Sequence, residues 1–254
     1  MSALGCRSAY VLVVVLVIAA WEAAYRAHLF SPIIFGSPSL IMAAIRKDGF
    51  TFLAASEITT YEVVVATLAA WIFGVAFGVV AGAVGFIGRV SAPFLSAIIA
   101  IPIVVLYPLL MAWIGIGPES KIIFGFLLGA FPIALNTMLG VQSIDQGYVT
   151  MSIAMGAGSL QRLLLVMVPL ALPSVMSGLR LGTSLVIAGV VLTEMLASTD
   201  GLGFWITYYR TTFDTGQVYL GIALALVLTA AANAALSYAE RRLGRWRALQ
   251  QDAG

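Results

Sequence analysis

The chain has 254 residues, of which 61% are hydrophobic and 9% are charged, and its formal net charge at pH 7 is +2. Soluble globular domains carry about 25% charged residues, so this composition excludes a water-soluble fold with a polar surface. The small net charge argues against a nucleic-acid-binding surface. One cysteine, Cys6, and one histidine, His28, exclude an internal disulfide and a metal cluster built from several cysteines of this chain.

Apolar segments long enough to cross a membrane recur along the chain. A hydrocarbon core about 30 Å thick needs about 20 apolar residues for each helical span. The run after Arg7 lacks a small-residue cleavage site before Glu22, which favours a membrane helix over a cleaved signal peptide. We expect an all-α polytopic protein that forms one transmembrane domain over residues 1–254, with about six spans. The expected spans are 9–27, 60–86, 92–113, 121–143, 174–197 and 216–239.

The segment between the first two spans contains signals for the start of a helix. Ser37 is a good capping residue, and Pro38 suits the first helical position. A short surface helix should therefore run to about Asp48, where charged residues end it. Glu62 follows near the start of the second span and is expected to lie at the outer interface.

The second and third spans contain glycine and proline in informative positions. Glycines near one face of the second span allow close helix approach in lipid, and they are Gly74, Gly78, Gly82 and Gly85. Prolines inside a span are tolerated where protein or water satisfies the freed carbonyl groups, so the third span should face the bundle interior. Its prolines are Pro93, Pro102 and Pro108. Later in the chain, Thr199–Asp214 should be a loop outside the membrane.

The basic residues indicate the orientation. With six spans both termini lie on one side, and the segments on that side hold eight of the 13 basic residues. Because cytoplasmic segments carry the excess of lysine and arginine, both termini and the segment 145–170 should be cytoplasmic, with Arg180 snorkelling to that interface. The eight are Arg7, Arg89, Arg162, Arg180, Arg241, Arg242, Arg245 and Arg247, and the other five are Arg26, Arg46, Lys47, Lys121 and Arg210.

The segment 145–170 is too polar in its first half to span and should contain its own helices. We expect a helix over Gln146–Met155, ended by Gly156 in a left-handed cap, and a second helix over Leu160–Val168. Ser159 would cap the second helix. Exposed apolar side chains on a short helix mark a groove on a partner. The candidates are Met151, Ile153 and Met155.

The spacing of residues in this segment resembles binding-protein-dependent importer permeases. Their cytoplasmic signature reads Glu-Ala-Ala, three residues, Gly, nine residues, then Ile-x-Leu-Pro. Here Gly156 is followed by nine residues and then Val166-Met-Val-Pro169. Pro173 and Gly178-Leu-Arg180 follow as in that family. The Glu-Ala-Ala part falls on Thr150-Met151-Ser152, so the acidic residue is absent.

Further motifs resemble one branch of that family, the permeases of nitrate, sulfonate, taurine and bicarbonate importers. The similarity covers about residues 30–245, in the right order. The motifs are Phe35-Gly-Ser-Pro-Ser39, Pro108-Leu-Leu-Met-Ala-Trp-Ile-Gly-Ile-Gly117 with Ser120-Lys121, Phe131-Pro-Ile-Ala-Leu-Asn-Thr137, Val141-Gln-Ser-Ile-Asp145, Val190-Val-Leu-Thr-Glu194, Gly201-Leu-Gly203 and Phe213-Asp-Thr215.

The resemblance implies a type I importer fold in a bacterial inner membrane. The implied partners are a second permease copy, two ATP-binding-cassette ATPase subunits and a periplasmic or lipoprotein binding protein. ATP and Mg²⁺ would bind to the ATPase, since this chain has no P-loop, and we expect no catalytic residue, cofactor or metal site here. The loop would form a coupling helix in an ATPase groove. Its expected contact residues are Thr150, Met151, Ser152, Ile153, Met155, Gly156 and Ala157.

Four residues are candidates for a translocation path or gate. Pro102 and Pro108 interrupt the third span, and Asn136 lies in the fourth, where an amide serves either as interhelical glue or as a substrate ligand. Glu194 lies near the outer end of the fifth span, and a charge there should face the bundle interior or a wet cavity. Structural hydrogen bonding near the interface is the alternative role for Glu194.

The branch implies uptake of a small anion such as nitrate, a sulfonate, taurine or bicarbonate, and the alternative is a neutral or heterocyclic nutrient. Two other functional classes would require different sequence features. A stand-alone secondary transporter would need inverted repeats and ionisable residues near the midplane. An intramembrane enzyme would need paired catalytic groups within the spans. The sequence has no clear repeat, Glu194 is its only strong candidate acid, and His28 lies outside the core.

Overall fold

A computed structural model describes the backbone of residues 3–31 and 33–251 and the side chains of residues 12–31 and 33–242. Across these residues the regular structure is entirely helical, which confirms the all-α class. The α-helices are α1 (Ala3–Arg26), α2 (Pro38–Ala83), α3 (Gly85–Ala100), α4 (Tyr107–Ile114), α5 (Pro118–Gln142), α6 (Gln146–Ala154), α7 (Ser159–Arg162), α8 (Val168–Leu196), α9 (Leu202–Thr211) and α10 (Thr215–Gln251). A 3-10 turn, Ile103–Leu106, precedes α4, and a π-helical turn, Leu163–Met167, joins α7 to α8.

Within the described part of the chain, four helical segments are long and apolar enough to cross a membrane. They are α2, α5, the segment Ser159–Leu196 and the segment Thr215–Arg242. A fifth candidate is α3 together with Ile103–Ile114, which are bent by 78° at the break between them. The first expected span, 9–27, coincides with the backbone of α1, but part of it falls on side chains outside the described residues.

The chain divides into two compact units. The first unit comprises Met1–Ile58 and Glu194–Leu226, and the second comprises Thr59–Thr193 and Val227–Gly254. The core of the first unit contains buried apolar residues from α2, α9 and α10, namely Ala44, Phe52, Ala55, Leu202, Tyr209 and Leu220. The main core of the second unit includes buried residues from α2, α5, α8 and α10, among them Val63, Ala70, Ile133, Val141, Val186, Val190 and Leu236.

The surface helix expected to end near Asp48 is continuous with the second span in α2, a helix of 46 residues. The prediction of a break was wrong because no proline follows Pro38 within this segment, and charged residues alone do not end a helix. Phe52 and Ala55 are buried in the first unit, so tertiary packing supports the helix beyond Asp48.

Only one proline breaks the third span. Pro93 lies inside α3 without interrupting it, and Pro108 lies in the first turn of α4, where its missing N–H group needs no partner. The helical path is interrupted at Ile101 and Pro102. Beyond the break, Tyr107 is fully buried and packs edge-on against Phe124 of α5, with ring centroids 5.3 Å apart.

The glycine face of α2 packs directly on α5. Three glycines face three side chains of α5, and the members of each set are four residues apart. Gly74, Gly78 and Gly82 face Ile133, Thr137 and Val141, respectively. A β-carbon added at Gly78 would lie 2.5 Å from the Thr137 β-carbon and 2.6 Å from the Ala134 carbonyl oxygen. The fourth expected glycine, Gly85, is instead the first residue of α3, with open space around it.

Replacing Gly78 with alanine should destabilise the protein because the new methyl group would force α2 and α5 apart. Overpacking of this kind costs about 1–3 kcal/mol. The measurement is the thermal unfolding midpoint of the detergent-purified protein, with Gly85→Ala as the matched control. Equal midpoints for the two variants would refute close packing at this position.

Candidate functional site

The expected helix in the loop is present as α6. Asp145 precedes it and caps it, since its Oδ1 accepts a hydrogen bond of 2.7 Å from the Gly147 N–H. One face of α6 is turned toward the protein: Ser152 is buried and Val149 is half-buried. The Ser152 hydroxyl donates to the Val149 carbonyl oxygen at 2.7 Å, so its burial leaves no donor unsatisfied.

A different face of α6 exposes an apolar stripe, formed by Tyr148, Met151 and Met155. Their exposed fractions are 56%, 64% and 81%. Residues three and four apart share a helix face, so these three side chains project together. Ile153 is also exposed, but it lies two residues from both methionines and therefore points elsewhere. The sequence analysis missed Tyr148, although its position three residues before Met151 was a usable signal.

A glycine cap ends α6 as predicted. Gly156 has φ +79°, and its N–H donates to the Ile153 carbonyl oxygen at 2.9 Å. The Ala157 N–H donates to the Ser152 carbonyl oxygen at 3.0 Å. These two bonds form a Schellman motif, in which the left-handed residue is normally glycine because a β-carbon is disfavoured there. Thr150 is exposed at the position of the family's glutamate.

The second expected loop helix, Leu160–Val168, is not a separate element. Helical structure begins at Ser159 in α7, passes through the π-helical turn and continues into α8. In that turn the Val168 N–H bonds to the Leu163 carbonyl oxygen, five residues earlier. The proline ring of Pro169 would clash with the Leu165 carbonyl in a regular α-helix, and the wider turn relieves that clash.

A buried ion pair links α2 to the first turn of α5. The Lys121 ammonium contacts the Glu62 carboxylate, and the two residues are 5% and 0% exposed. Glu62 is predicted at the outer interface, and the structure shows that α2 extends well before it and turns it toward α5, where it is buried. Removing one partner of such a pair costs about 3–5 kcal/mol, since it leaves an uncompensated buried charge.

Glu194, which is 1% exposed, caps the N-terminus of α9 from the end of α8. Its Oε2 accepts a hydrogen bond of 2.8 Å from the Gly203 N–H. A carboxylate is favourable there because the first N–H groups of a helix lack partners within the helix. Gly201 has φ +104° and lies against this carboxylate, so a β-carbon does not fit. The prediction for 199–214 missed α9, although Leu202, Ile206 and Tyr209 have the spacing of one helix face.

The other end of α9 is anchored by Tyr209. Its ring stacks on Phe52 with centroids 5.8 Å apart. Burial, together with the nearby Asp48 carboxylate, raises the pKa of the Tyr209 phenol above its ordinary value. The phenol therefore stays protonated at neutral pH. The Gln217 amide donates to Asp48 at 2.9 Å, which adds a polar link within the first unit.

Glu194→Ala should lower the thermal unfolding midpoint because the Gly203 N–H loses its acceptor. An unsatisfied buried donor costs about 1–3 kcal/mol. Glu194→Gln keeps an acceptor oxygen and should lose less. Glu57→Ala removes an exposed carboxylate from α2 and serves as the control. A midpoint for Glu194→Ala that matches this control would contradict the capping role.

Asn136 contributes to a polar cleft between α5 and α8. Its Nδ2 donates to the Pro132 carbonyl oxygen of the same helix at 2.9 Å. The cleft is also lined by Ser143, Ser174 and Ser177. None of its described lining residues is charged, so the cleft presents hydroxyl and amide groups.

Arg180 has partners on α10. Its Nη2 donates to Glu240 Oε2 at 2.7 Å and to Ser237 Oγ at 3.3 Å, and the guanidinium and carboxylate are both about half exposed. Arg180 is predicted to snorkel to the cytoplasmic interface. The structure also gives it an ion pair that connects α8 to α10.

The comparisons with known proteins identify the family. The chain matches the binding-protein-dependent transport system inner membrane component family over residues 74–245, which is more than half of its length. The protein therefore belongs to this family, whose members are membrane-embedded transport permeases and not enzymes. Relatives named for taurine, aliphatic sulfonate and nitrate transport place it in the nitrate, sulfonate and taurine branch of type I importer permeases.

Two relatives and one solved structure show the extent of the similarity. The riboflavin transport system permease RibX of Chloroflexus aurantiacus is 36% identical over 157 residues, which are 62% of this chain and 59% of that protein. The taurine transport system permease TauC of Escherichia coli is 28% identical over 236 residues, covering 89% of this chain and 85% of that protein. A chain of the inward-facing MetNI methionine ABC transporter shares the fold with a TM-score of 0.64, 18% identity, and coverage of 78% of this chain and 99% of that one.

Proposed function

We propose that two copies of this chain form the permease of an ATP-driven importer. Each copy would couple one of two separate ATPase subunits, which bind ATP and Mg²⁺, to uptake of a solute delivered by a periplasmic or lipoprotein binding protein. The observation that carries this proposal is the exposed apolar stripe of α6, in a chain that belongs to a transport permease family.

The proposed coupling between the ATPase and the spans depends on the exposed apolar stripe of α6. Apolar side chains exposed on a short helix are costly in water and gain from entering a partner's groove. The Schellman motif at Gly156 fixes the turn after α6, and helical structure then runs from Ser159 into α8. A displacement of α6 by the ATPase would therefore pass through this short connection to a membrane-spanning helix. The proposed contact residues are Tyr148 and the predicted set Thr150, Met151, Ser152, Ile153, Met155, Gly156 and Ala157.

The proposal places the protein in a bacterial inner membrane with both termini and α6 in the cytoplasm. The excess of arginine in the segments on that side supports this orientation. The single transmembrane domain over 1–254, with six spans, remains the expected organisation.

The path for the solute would run between the two permease copies. Pro102, at the break after α3, and Pro108, in α4, belong to the bent span, and Asn136 lies in the polar cleft. Glu194 would act on the outer gate by holding α9 in position. These four residues are proposed on the basis of their placement, and none of them requires covalent chemistry.

The proposed substrate is a small anion such as nitrate, a sulfonate, taurine or bicarbonate, which the relatives in the branch support. A neutral or heterocyclic nutrient is the second candidate, because RibX is named for riboflavin transport. The test is uptake into proteoliposomes that contain the permease, its ATPase and its binding protein. ATP-dependent uptake of taurine and not riboflavin supports the first candidate, and the reverse supports the second. Uptake that continues without the ATPase would instead indicate a secondary transporter.

Cysteine placed on the stripe should crosslink to the ATPase. In a Cys6→Ser background, Met151→Cys and Met155→Cys should each form a crosslink, because both side chains project from the exposed face of α6. Val149→Cys is the control, since Val149 lies on the same helix but is half-buried on the face turned toward the protein. Crosslinks are read as a mass shift that contains both subunits. Crosslinking of position 151 to the binding protein would overturn the orientation.

Gly156→Val should uncouple ATP hydrolysis from uptake while leaving assembly intact. A β-branched residue at φ +79° is strained by about 1–3 kcal/mol, and relief of that strain would tilt α6. Gly158→Val is the matched control, because Gly158 has an extended backbone, with φ −66° and ψ 163°, that valine adopts freely. Membrane abundance, ATPase co-purification and uptake are measured for both variants. Normal uptake by Gly156→Val would contradict the coupling role, and lost abundance would assign the glycine to folding.

A further inference from the structure

A cleft in the second unit is lined by two arginines. It lies where α2 ends, α3 begins, α5 ends and the loop helices start. Its polar lining residues are Arg89, Gln142, Gln146, Ser159 and Arg162. No aspartate or glutamate is among the lining residues that the structure describes, so their charge is of one sign.

Neither arginine has a carboxylate partner among the side chains that the structure describes, where the ion pairs join other residues. Arg89 uses its Nε to donate to the Gly85 carbonyl oxygen at 3.2 Å, which leaves its remaining N–H groups for other acceptors. Two guanidinium groups on one cleft repel each other, and an anion between them would remove that repulsion.

The cleft also contains an amide donor. The Gln142 side chain lines it, is exposed, and has its nitrogen against Gly88 of α3. The amide nitrogen carries two N–H donors, so Gln142 can donate to a group in the cleft that Arg89 lines. The wall therefore combines positive charge with a neutral donor, a combination that suits the oxygens of a phosphate group.

The cleft is separate from the apolar stripe of α6. Gln146 and Val149 line it, and they share a face because they are three residues apart. At about 100° per residue, that face lies on roughly the opposite side of α6 from Tyr148 and Met151. A partner bound to the stripe would therefore leave these lining residues accessible.

We infer that this cleft binds the phosphate group of an anionic ligand, either an anionic phospholipid of the surrounding membrane or a soluble phosphate. Arginine presents a planar fork that matches phosphate oxygens. The apolar helices α2 and α5 both end at the cleft, which places it at the boundary between hydrocarbon and water, where lipid headgroups lie. Assignment to the cytoplasmic leaflet rests on the proposed function, whereas binding itself does not.

The test measures the phosphatidylglycerol that the purified permease–ATPase complex retains in nanodiscs of phosphatidylcholine mixed with phosphatidylglycerol. Nanodiscs of phosphatidylcholine without phosphatidylglycerol give the background. The variant Arg89→Gln/Arg162→Gln should bind this lipid about 25-fold more weakly than wild type, at about fivefold for each arginine. The control Arg241→Gln/Arg242→Gln removes the same charge from two exposed positions of α10 and should retain the lipid. In a second arm, the unfolding midpoint of the complex in phosphatidylcholine nanodiscs is measured with added inorganic phosphate. It is compared with the midpoint in sodium chloride of equal ionic strength.

The two arms distinguish the source of the phosphate. Lipid retention that depends on Arg89 and Arg162 identifies a phospholipid, and a rise in the unfolding midpoint with inorganic phosphate, absent in the double variant, identifies a soluble anion. If the double variant behaves like wild type in both arms, or if the control loses as much lipid, the site is refuted. The single variants decide the question if the double variant does not fold. A wild-type complex without ATP-driven uptake would refute the transport proposal and leave these binding results intact.

Discussion

The close approach of α2 and α5 sets the geometry on which the second unit depends. Lipid tails are as apolar as leucine, so membrane helices associate through packing and polar contacts and gain little from hydrophobicity. Gly74, Gly78 and Gly82 bring the two backbones close enough for dispersion contacts along three turns. The same two helices carry Glu62 and Lys121, which are paired because the spacing between the helices is short. The close packing of α2 on α5 and the neutralisation of the buried Glu62 and Lys121 charges therefore depend on one another.

This helix pair extends to a third helix. Glycines of α5 and α8 allow equally close contacts between them, since Gly129 meets Val186 and Gly140 meets Ser174. The loop that contains α6 connects α5 to α8, so both of its ends begin in tightly packed helices. Under the proposed function, a force on α6 therefore acts on two helices that are packed closely together. Such interfaces shift between discrete arrangements more readily than they deform.

Local features were predictable from the sequence, and non-local ones were not. The helical class follows from composition, and α6 with its glycine cap follows from signals within about ten residues. Glu62 and Lys121 are 59 residues apart in the chain, and a single sequence contains no signal that two such distant residues are in contact. The continuity of α2 was missed because packing of Phe52, and not local propensity, maintains the helix there. Tyr148 was overlooked because apolar type was weighed without helical spacing.

The π-helical turn constrains where insertions and deletions can occur in this chain. It accommodates one residue more than an α-helical turn, between α7 and α8. Deleting one residue from the regular helix that follows would rotate α7 by about 100° relative to the rest of α8, which would carry Arg162 around the helix axis. A change of length is tolerated only outside a continuous helix, where it does not rotate the residues on either side. The nearest such position is Ala157-Gly158, between α6 and α7. The nine-residue interval between Gly156 and Val166 therefore fixes their relative rotation about the helix axis as well as the distance between them.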